Sequence, residues 1–244
     1  EVSPTLFYGV PRIYEKINSN FNIALSEATN LSKFIYERAL KTSLKRVELK
    51  MKNKKIPIVL NIRFFMYDFF VFRNLRRMIG FDRVKRAVTG AAPISPDLVK
   101  WFNALGIPLI EGYGMSETAT VMTMNDPENN KVGTVGTWVP DANVKISPEG
   151  EIQWKSPAVF AGYYKDNKRT SEAFTKDGYF KTGDKGKIEN GLLSITGRLK
   201  DIIITAGGKN ISPALIENYL KFSKYISDAI IIGDQRKYLT ALIL

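Results

Sequence analysis

The sequence predicts a mixed α/β chain: a helical and βαβ region, then a small β region, then the beginning of a small α+β unit. Three observations carry this. Apolar residues recur at three- and four-residue spacing through the first part of the chain. Two short β-prone runs then flank one helix, which implies neighbouring parallel strands. From about Gly133 the texture changes to short strands and turns.

Taken in order, residues 12–55 read as helix, because Ile13, Ile17, Phe21, Leu25, Ala28, Leu31, Ile35 and Ala39 share one face. Pro57 and Gly80 bracket a second helical region. Residues 84–89 form a strand. Ser95-Pro96-Asp97 then caps a helix through Leu105, and Gly106 stops it before a strand at 107–110. Farther on, strands at 144–147 and 151–155 flank Pro148-Glu149-Gly150. Strands at 187–189 and 192–196 flank Asn190-Gly191, the strongest short hairpin signal. After Arg198-Leu199-Lys200-Asp201 come a strand at 202–205, a Gly207-Gly208 turn, a helix opened by Ser212-Pro213, and strands at 229–232 and 239–244. The expected divisions are 1–132 (α/β), 133–199 (a small β-barrel-like subdomain) and 200–244 (the beginning of a mobile α+β domain). A last strand with no closing element predicts that the chain is an internal piece of a longer protein.

Composition removes several chemistries. The chain has no cysteine, so disulfides and thiolate nucleophiles or metal ligands are excluded. It has no histidine either, so acid–base work falls to carboxylate, Lys or Tyr. Residues 1–100 hold 19 Lys and Arg against 8 Asp and Glu, while the other 144 hold 17 against 16, so the charge of +12 is one-sided. Such a half suits an anionic membrane surface or a phosphorylated ligand, and a solvated Lys-rich helix surface accounts for it as well. The basic residues form no nucleic-acid-binding module, so no nucleic-acid partner is expected. The most apolar stretch, residues 56–81, is broken by Asn61, Arg63, Asp68, Arg73, Arg76 and Arg77, which does not fit a bilayer-spanning helix. A buried or surface-bound amphipathic segment is expected there, in a cytoplasmic protein, with peripheral membrane association open.

Four segments carry candidate chemistry. Gly90-Ala91-Ala92-Pro93 and EGYGMSETA (residues 111–119) follow the two βαβ strands, at the carboxyl ends where open α/β sheets bind ligands. Glycines let backbone approach a ring or phosphate, Tyr113 offers an aromatic face, Ser116 and Thr118 offer hydroxyls, and Glu117 is a hard oxygen ligand suited to magnesium. As composition alone, each is equally a plain turn. DGYFKTGD (residues 177–184) ends in Asp184, able to hold both hydroxyls of a ribose or to cap a turn. TGRLKD (residues 196–201) and TAGGKN (residues 205–210) follow, with Arg198 able to bond ribose or phosphate, or to make a surface ion pair.

Together, in this order, the four segments resemble the adenylate-forming enzymes: acyl-CoA synthetases, luciferases and peptide-synthetase adenylation domains. EGYGMSET is similar to their central signature, DGYFKTGD to the ribose motif, and GRLKDIIITAGGKNISPALIE to the hinge and start of the mobile C-terminal domain. GVPRIYEKI (residues 9–17), YDFFVFRNLRRMIGFDRVKRAVTGAAPIS (residues 67–95) and the GDQRKYLTALIL ending resemble the long-chain fatty acyl-CoA synthetases. The resemblance covers essentially the whole chain.

It implies a two-step ligation in which ATP adenylates a fatty acid and coenzyme A then takes the acyl group. Carried over by residue, adenine would lie against Gly90, Ala91, Ala92 and the Tyr113 ring, within a nucleotide site that includes Glu111, Gly112, Gly114 and Thr118. Ser116 would stand near the α-phosphate, Glu117 would hold Mg2+, and Asp184 and Arg198 the ribose. Lys200 would be the hinge, and Gly207 and Gly208 would line the CoA path. The acyl chain would enter near Gly112 and Gly114. The chain departs from the family pattern in lacking the upstream phosphate loop and the C-terminal catalytic Lys, so these 244 residues alone are expected to be inactive. Lys181 stands where many relatives have His. Two alternatives remain: a fatty acyl-AMP ligase serving a carrier protein, and a non-catalytic nucleotide-binding fragment or regulatory paralogue.

Overall fold

The structure is a computed structural model that describes residues 3–223 and 225–244. It divides into two compact units, one of residues 1–111 and 126–132, the other of residues 112–125 and 133–244.

The first unit opens on strand β1 (Leu6–Gly9), which the sequence reading did not anticipate: four residues carry too little alternation to stand out. Helices α1 (Pro11–Glu27) and α2 (Asn30–Met51) replace the single helix expected over 12–55. The break falls at Thr29, whose backbone is extended and whose Oγ1 accepts from Ser32 N at 3.3 Å. That is an N-cap, and it costs the chain one turn of continuity while satisfying a donor that would otherwise be orphaned. Both helices pack on one core, α1 through Tyr14, Ile17, Phe21 and Leu25 and α2 through Tyr36, Ala39 and Leu40, whereas Ile13, Leu31 and Ile35 of the expected face are exposed.

Helix α3 (Ile58–Tyr67), a wide π turn (Asp68–Phe72) and α4 (Arg73–Met78) form the second helical region. Phe64 and Phe72 are both buried although eight residues apart, more than the roughly 7.2 of two α-turns. The wide turn takes up the extra residue and keeps the two rings adjacent, at 6.4 Å between centroids.

Strand β2 (Arg86–Thr89), helix α5 (Pro96–Ala104) and strand β3 (Leu109–Tyr113) make the expected βαβ unit, with β1–β2 and β2–β3 both parallel. Two details differ from expectation. Ser95 does not cap α5 through its side chain; its Oγ is buried without a partner among the described residues, and Pro96 supplies the first-turn geometry. Strand β3 begins two residues later than expected, since Ile107 N still reaches back to Phe102 O. Tyr14, Phe72, Phe102, Ile107 and Leu109 are fully buried in one core, where Tyr14 and Phe102 meet edge to face at 5.2 Å. The Tyr14 hydroxyl donates to Val88 O at 3.1 Å, tying α1 to the strand that ends in Gly90. No helix of the described residues is long and apolar enough to cross a membrane.

In the second unit, β4 (Thr123–Met124) pairs with the end of β3 and with β5 (Thr137–Trp138), two short strands that left no sequence signal. Strands β6 (Asn143–Ile146), β7 (Glu151–Lys155), β8 (Phe180–Glu189) and β9 (Leu192–Arg198) form one antiparallel meander. The β8–β9 hairpin turns on Asn190-Gly191 as expected; both residues have φ above 50°, the left-handed pair that such a turn requires. Helix α6 (Asn167–Glu172) interrupts β7 and β8, capped by Asp166 Oδ1 on Arg169 N. Strands β10 (Ile203–Ile204) and β11 (Asn210–Ile211), helix α7 (Pro213–Lys221) and the antiparallel pair β12 (Ala229–Ile232) and β13 (Thr240–Ile243) follow. α7 packs on β12 and reaches β9.

A candidate nucleotide site

Gly90, Ala91, Ala92 and Glu111 belong to the first unit, and the remaining candidates to the second. Ala91 takes a left-handed φ of 70° immediately after β2, and Glu111 sits opposite Thr89 in the β2–β3 register.

In the second unit the loop after Tyr113 folds back on itself. Thr120 N and Thr118 N both donate to Met115 O, and Met122 N closes the loop on Tyr113 O at 2.8 Å. A Cβ at Gly114 would lie 1.4 Å from Thr120 O, so only glycine fits. The missing side chain at Gly114 therefore serves the loop's own closure. Ala119 and Thr120 follow with φ of 53° and 84°, an uncommon conformation for a β-branched residue and a local strain that the loop's hydrogen bonds hold in place.

This closure sorts the three polar side chains of the turn Ser116–Thr118. Thr118 is buried, and its hydroxyl is committed to the Met115 backbone at 3.0 Å. Ser116 is exposed and Glu117 half-buried. The Glu117 carboxylate accepts from the Tyr163 hydroxyl at 3.1 Å, and Glu117 O accepts from Phe160 N at 2.8 Å. Tyr163 is itself fixed: its ring meets Phe160 edge to face at 4.8 Å, and the Arg169 guanidinium lies 4.2 Å over it. Burial, then the hydrogen bond to Glu117, raises the phenol's pKa, so it stays a donor across the physiological range. Tyr163 was missed in the sequence. It lies 46 residues from Glu117, and GYYKDN carries no pattern that would announce a contact at that distance.

The second cluster is built on the β8–β9 ladder. Asp184 and Arg198 are paired in register, so their side chains emerge side by side. Asp184 is 5% exposed. Its Oδ2 accepts from the Tyr113 hydroxyl at 2.7 Å and its Oδ1 from Arg198 Nε at 3.2 Å. Burial, then the Asp184 charge, pushes the Tyr113 phenol far up, so this donor does not ionise at working pH. The Arg198 side chain is 68% exposed, so the ion pair contributes little stability. Its use is geometric. A carboxylate has about four acceptor positions, and two are taken here, leaving a fixed acid with capacity for a pair of hydroxyls.

A divalent cation fits this site in kind. Glu117 is a hard oxygen ligand, and the described residues contain no group of three or more acidic side chains that could cage a metal. A magnesium ion held by one carboxylate takes its other oxygens from phosphate and water.

The turn at residues 199–201 joins β9 to β10. Lys200 is exposed there, between Leu199 N on Gly183 O (2.9 Å) and Asp201 N on Arg198 O (3.2 Å). Gly207 and Gly208 lie in the exposed β10–β11 turn with open space around each.

The family model for AMP-binding enzymes matches residues 1–164, and that for the AMP-binding enzyme C-terminal domain matches residues 200–244. This chain belongs to the AMP-binding enzyme family. It is 38% identical over 242 residues to the long-chain-fatty-acid–CoA ligase FadD15 of Mycobacterium bovis, covering 98% of this chain and 39% of that protein. Among solved structures it is similar to the O-succinylbenzoate coenzyme A synthetase of Bacillus subtilis in complex with ATP and magnesium ion. That match has a TM-score of 0.59 and 28% identity, over 66% of this chain and 37% of the other. The adenylation domain of a carboxylate reductase from Mycobacterium chelonae shares the fold across 99% of this chain and 34% of its own, with a TM-score of 0.67 and 21% identity. This member of the AMP-binding family thus spans well under half the length of the relatives it matches, and its fold is theirs.

Proposed function

We propose that the complete protein is a long-chain fatty acid–CoA ligase. A fatty acid carboxylate oxygen attacks the α-phosphorus of ATP, and pyrophosphate leaves. The CoA thiol then attacks the acyl carbonyl, giving the thioester and AMP. The observation that carries the reading is the buried Asp184 carboxylate, held between the Tyr113 hydroxyl and Arg198 with acceptor capacity to spare. The names of the relatives support the fatty acid and CoA as substrates.

In this reading Asp184 and Arg198 take the ribose, and Tyr113 presents its ring to the adenine. Gly112 and Gly114 shape the backbone beneath the nucleotide, and Ser116 faces the α-phosphate. Thr118 holds the loop and Tyr163 aims the carboxylate of Glu117. Bound Mg2+, held by Glu117, would neutralise phosphate charge. Positioning and preorganised electrostatics supply most of the rate in such chemistry. Residues 200–244 act as the beginning of a mobile domain, with Lys200 at the pivot and Gly207-Gly208 beside the CoA path.

Asp184→Asn tests the ribose assignment. The amide keeps the size and one acceptor but loses the charge and part of the hydrogen-bonding capacity. ATP affinity of the complete protein, measured by calorimetry, is expected to fall about 10- to 100-fold, the scale of charge-assisted hydrogen bonds. Unchanged affinity, with the fold intact by circular dichroism, would remove Asp184 from the site.

A further inference from the structure

Helix α6 reaches the Glu117 carboxylate through one side chain. Tyr163, whose hydroxyl bonds Glu117, belongs to the segment between β7 and α6, and that segment closes on the helix. Tyr163 N donates to Thr170 Oγ1 at 2.9 Å, Thr170 Oγ1 donates to Asp166 O at 2.7 Å, and Asp166 N donates to Tyr163 O at 3.2 Å. A Cβ at Gly162 would lie 2.6 Å from Thr170 Cγ2, so only glycine lets the segment come this close. These contacts fix the Tyr163 backbone. They do not choose its rotamer, and a phenol that must meet a carboxylate 46 residues away needs its ring held as well.

Two groups hold the ring. Phe160 meets it edge to face at 4.8 Å, and Arg169, the third residue of α6, places its guanidinium 4.2 Å over it. Phe160 is anchored in turn, stacked on Phe174 at 6.0 Å and edge to face with Phe180 at 5.6 Å. Lys181 N donates to Ala173 O at 2.8 Å, so the end of α6 is tied to the strand that carries Asp184. A guanidinium stays charged at any working pH and suits the electron-rich face of a phenol. Burial, then the hydrogen bond to Glu117, raises the phenol's pKa, and the Arg169 charge opposes them, the direction that makes the hydroxyl a better donor. A basic residue in the last turn of a helix also complements the helix dipole, but that role needs no tyrosine.

We propose that Arg169 is a positioning residue for the magnesium-binding carboxylate: from α6 it fixes the Tyr163 ring, and the hydroxyl of that ring holds Glu117 in the orientation that takes Mg2+ with ATP. The proposal rests on the reading of Glu117 as the magnesium acid and on no part of the fatty acid or CoA assignments. Magnesium demands near-ideal octahedral geometry, so a single carboxylate that serves it has to be oriented. Tyr163 occupies one acceptor position of Glu117 and leaves the others for the ion.

Calorimetry of ATP binding to the complete protein, in Mg2+ and in EDTA, reads this role without turnover. Arg169→Ala is expected to weaken binding in Mg2+ by about two- to fivefold, the scale of an exposed cation–π contact, and to leave binding in EDTA unchanged. Tyr163→Phe keeps the ring and removes the donor, and is expected to weaken binding in Mg2+ by about the same factor or more. Arg169→Ala is expected to add nothing in the Tyr163→Phe background, since without the hydroxyl the ring no longer orients Glu117. Lys168→Ala removes another exposed charge from the same helix and is expected to change neither affinity. An Arg169→Ala loss that is equal in Mg2+ and EDTA, matched by Lys168→Ala, or additive with Tyr163→Phe would overturn the proposal, as would no loss at all. Glu117→Gln separates the two ways of failing. If it leaves affinity in Mg2+ intact, Glu117 is not the magnesium acid, and that reading fails and takes the proposal with it. A Glu117→Gln loss beside normal binding by Arg169→Ala rejects Arg169 alone.

Discussion

Replacing Glu117 by glutamine in the complete protein is expected to lower acyl-adenylate formation by about 10²-fold or more while leaving the fold unchanged, by analogy with loss of one preorganised electrostatic group. The geometry makes this substitution informative. Tyr163 donates to Glu117 Oε1 at 3.1 Å, and Phe160 N donates to Glu117 O at 2.8 Å. An amide oxygen accepts from the same hydroxyl, and the backbone bond is indifferent to the side chain. The strained turn through Ala119 and Thr120 therefore keeps its supports, and what disappears is the negative charge. The loss should be accompanied by a higher Mg2+ requirement, read from adenylate formation across a magnesium titration. Near-normal turnover with an unchanged magnesium dependence would show that Glu117 does not serve the metal.

The second large effect separates the two half-reactions. Lys200→Pro fixes φ near −65° at the middle of the turn from β9 to β10 and restricts Leu199 as well. Leu199 N is bonded to Gly183 O, one residue before Asp184, so the turn is anchored on its β9 side. On its other side, Gly197 packs tightly on Ser212: a Cβ at Gly197 would lie 2.9 Å from Ser212 Oγ. A domain that begins at residue 200 must release that contact in order to rotate, and the few element-terminal residues of the turn must absorb the dihedral change. With the pivot locked in the arrangement used for adenylation, acyl-AMP should accumulate while thioester formation collapses. Pyrophosphate exchange and thioester production are measured on the same variant. Equal loss of both would reject Lys200 as the pivot.

What the sequence made legible follows from how local each signal was. The βαβ unit could be read because its strands and helix are punctuated by Pro96 and Gly106, and the β8–β9 hairpin because Asn190-Gly191 dictates one turn type. The break between α1 and α2 was hidden: Thr29 is an ordinary residue within a helical pattern, and apolar spacing continued across it. Strands β1, β4 and β5 have two to four residues each and owe their existence to pairing with distant segments. The site divides in the same way. Asp184 and Arg198 stood out as motif residues, yet their mutual contact and the Tyr113 bond depend on β8–β9 register and on a contact 71 residues apart. Tyr163 left no trace, since its role exists only when α6 and the aromatic cluster bring it to Glu117. The segment around α3 was legible as amphipathic, but the joint burial of Phe64 and Phe72 depended on the π turn.

In the proposed function the Asp184 and Glu117 clusters serve activation of a fatty acid by ATP. The most direct measurement is carboxylate-dependent exchange of radiolabelled pyrophosphate into ATP by the complete protein, with and without Mg2+, across fatty acids of increasing chain length. Exchange is expected to need both Mg2+ and a long-chain fatty acid, not to need CoA, and to fall sharply in Asp184→Asn and Glu117→Gln. Exchange that is absent with every fatty acid, or equally strong in both variants, would remove these clusters from fatty acid activation.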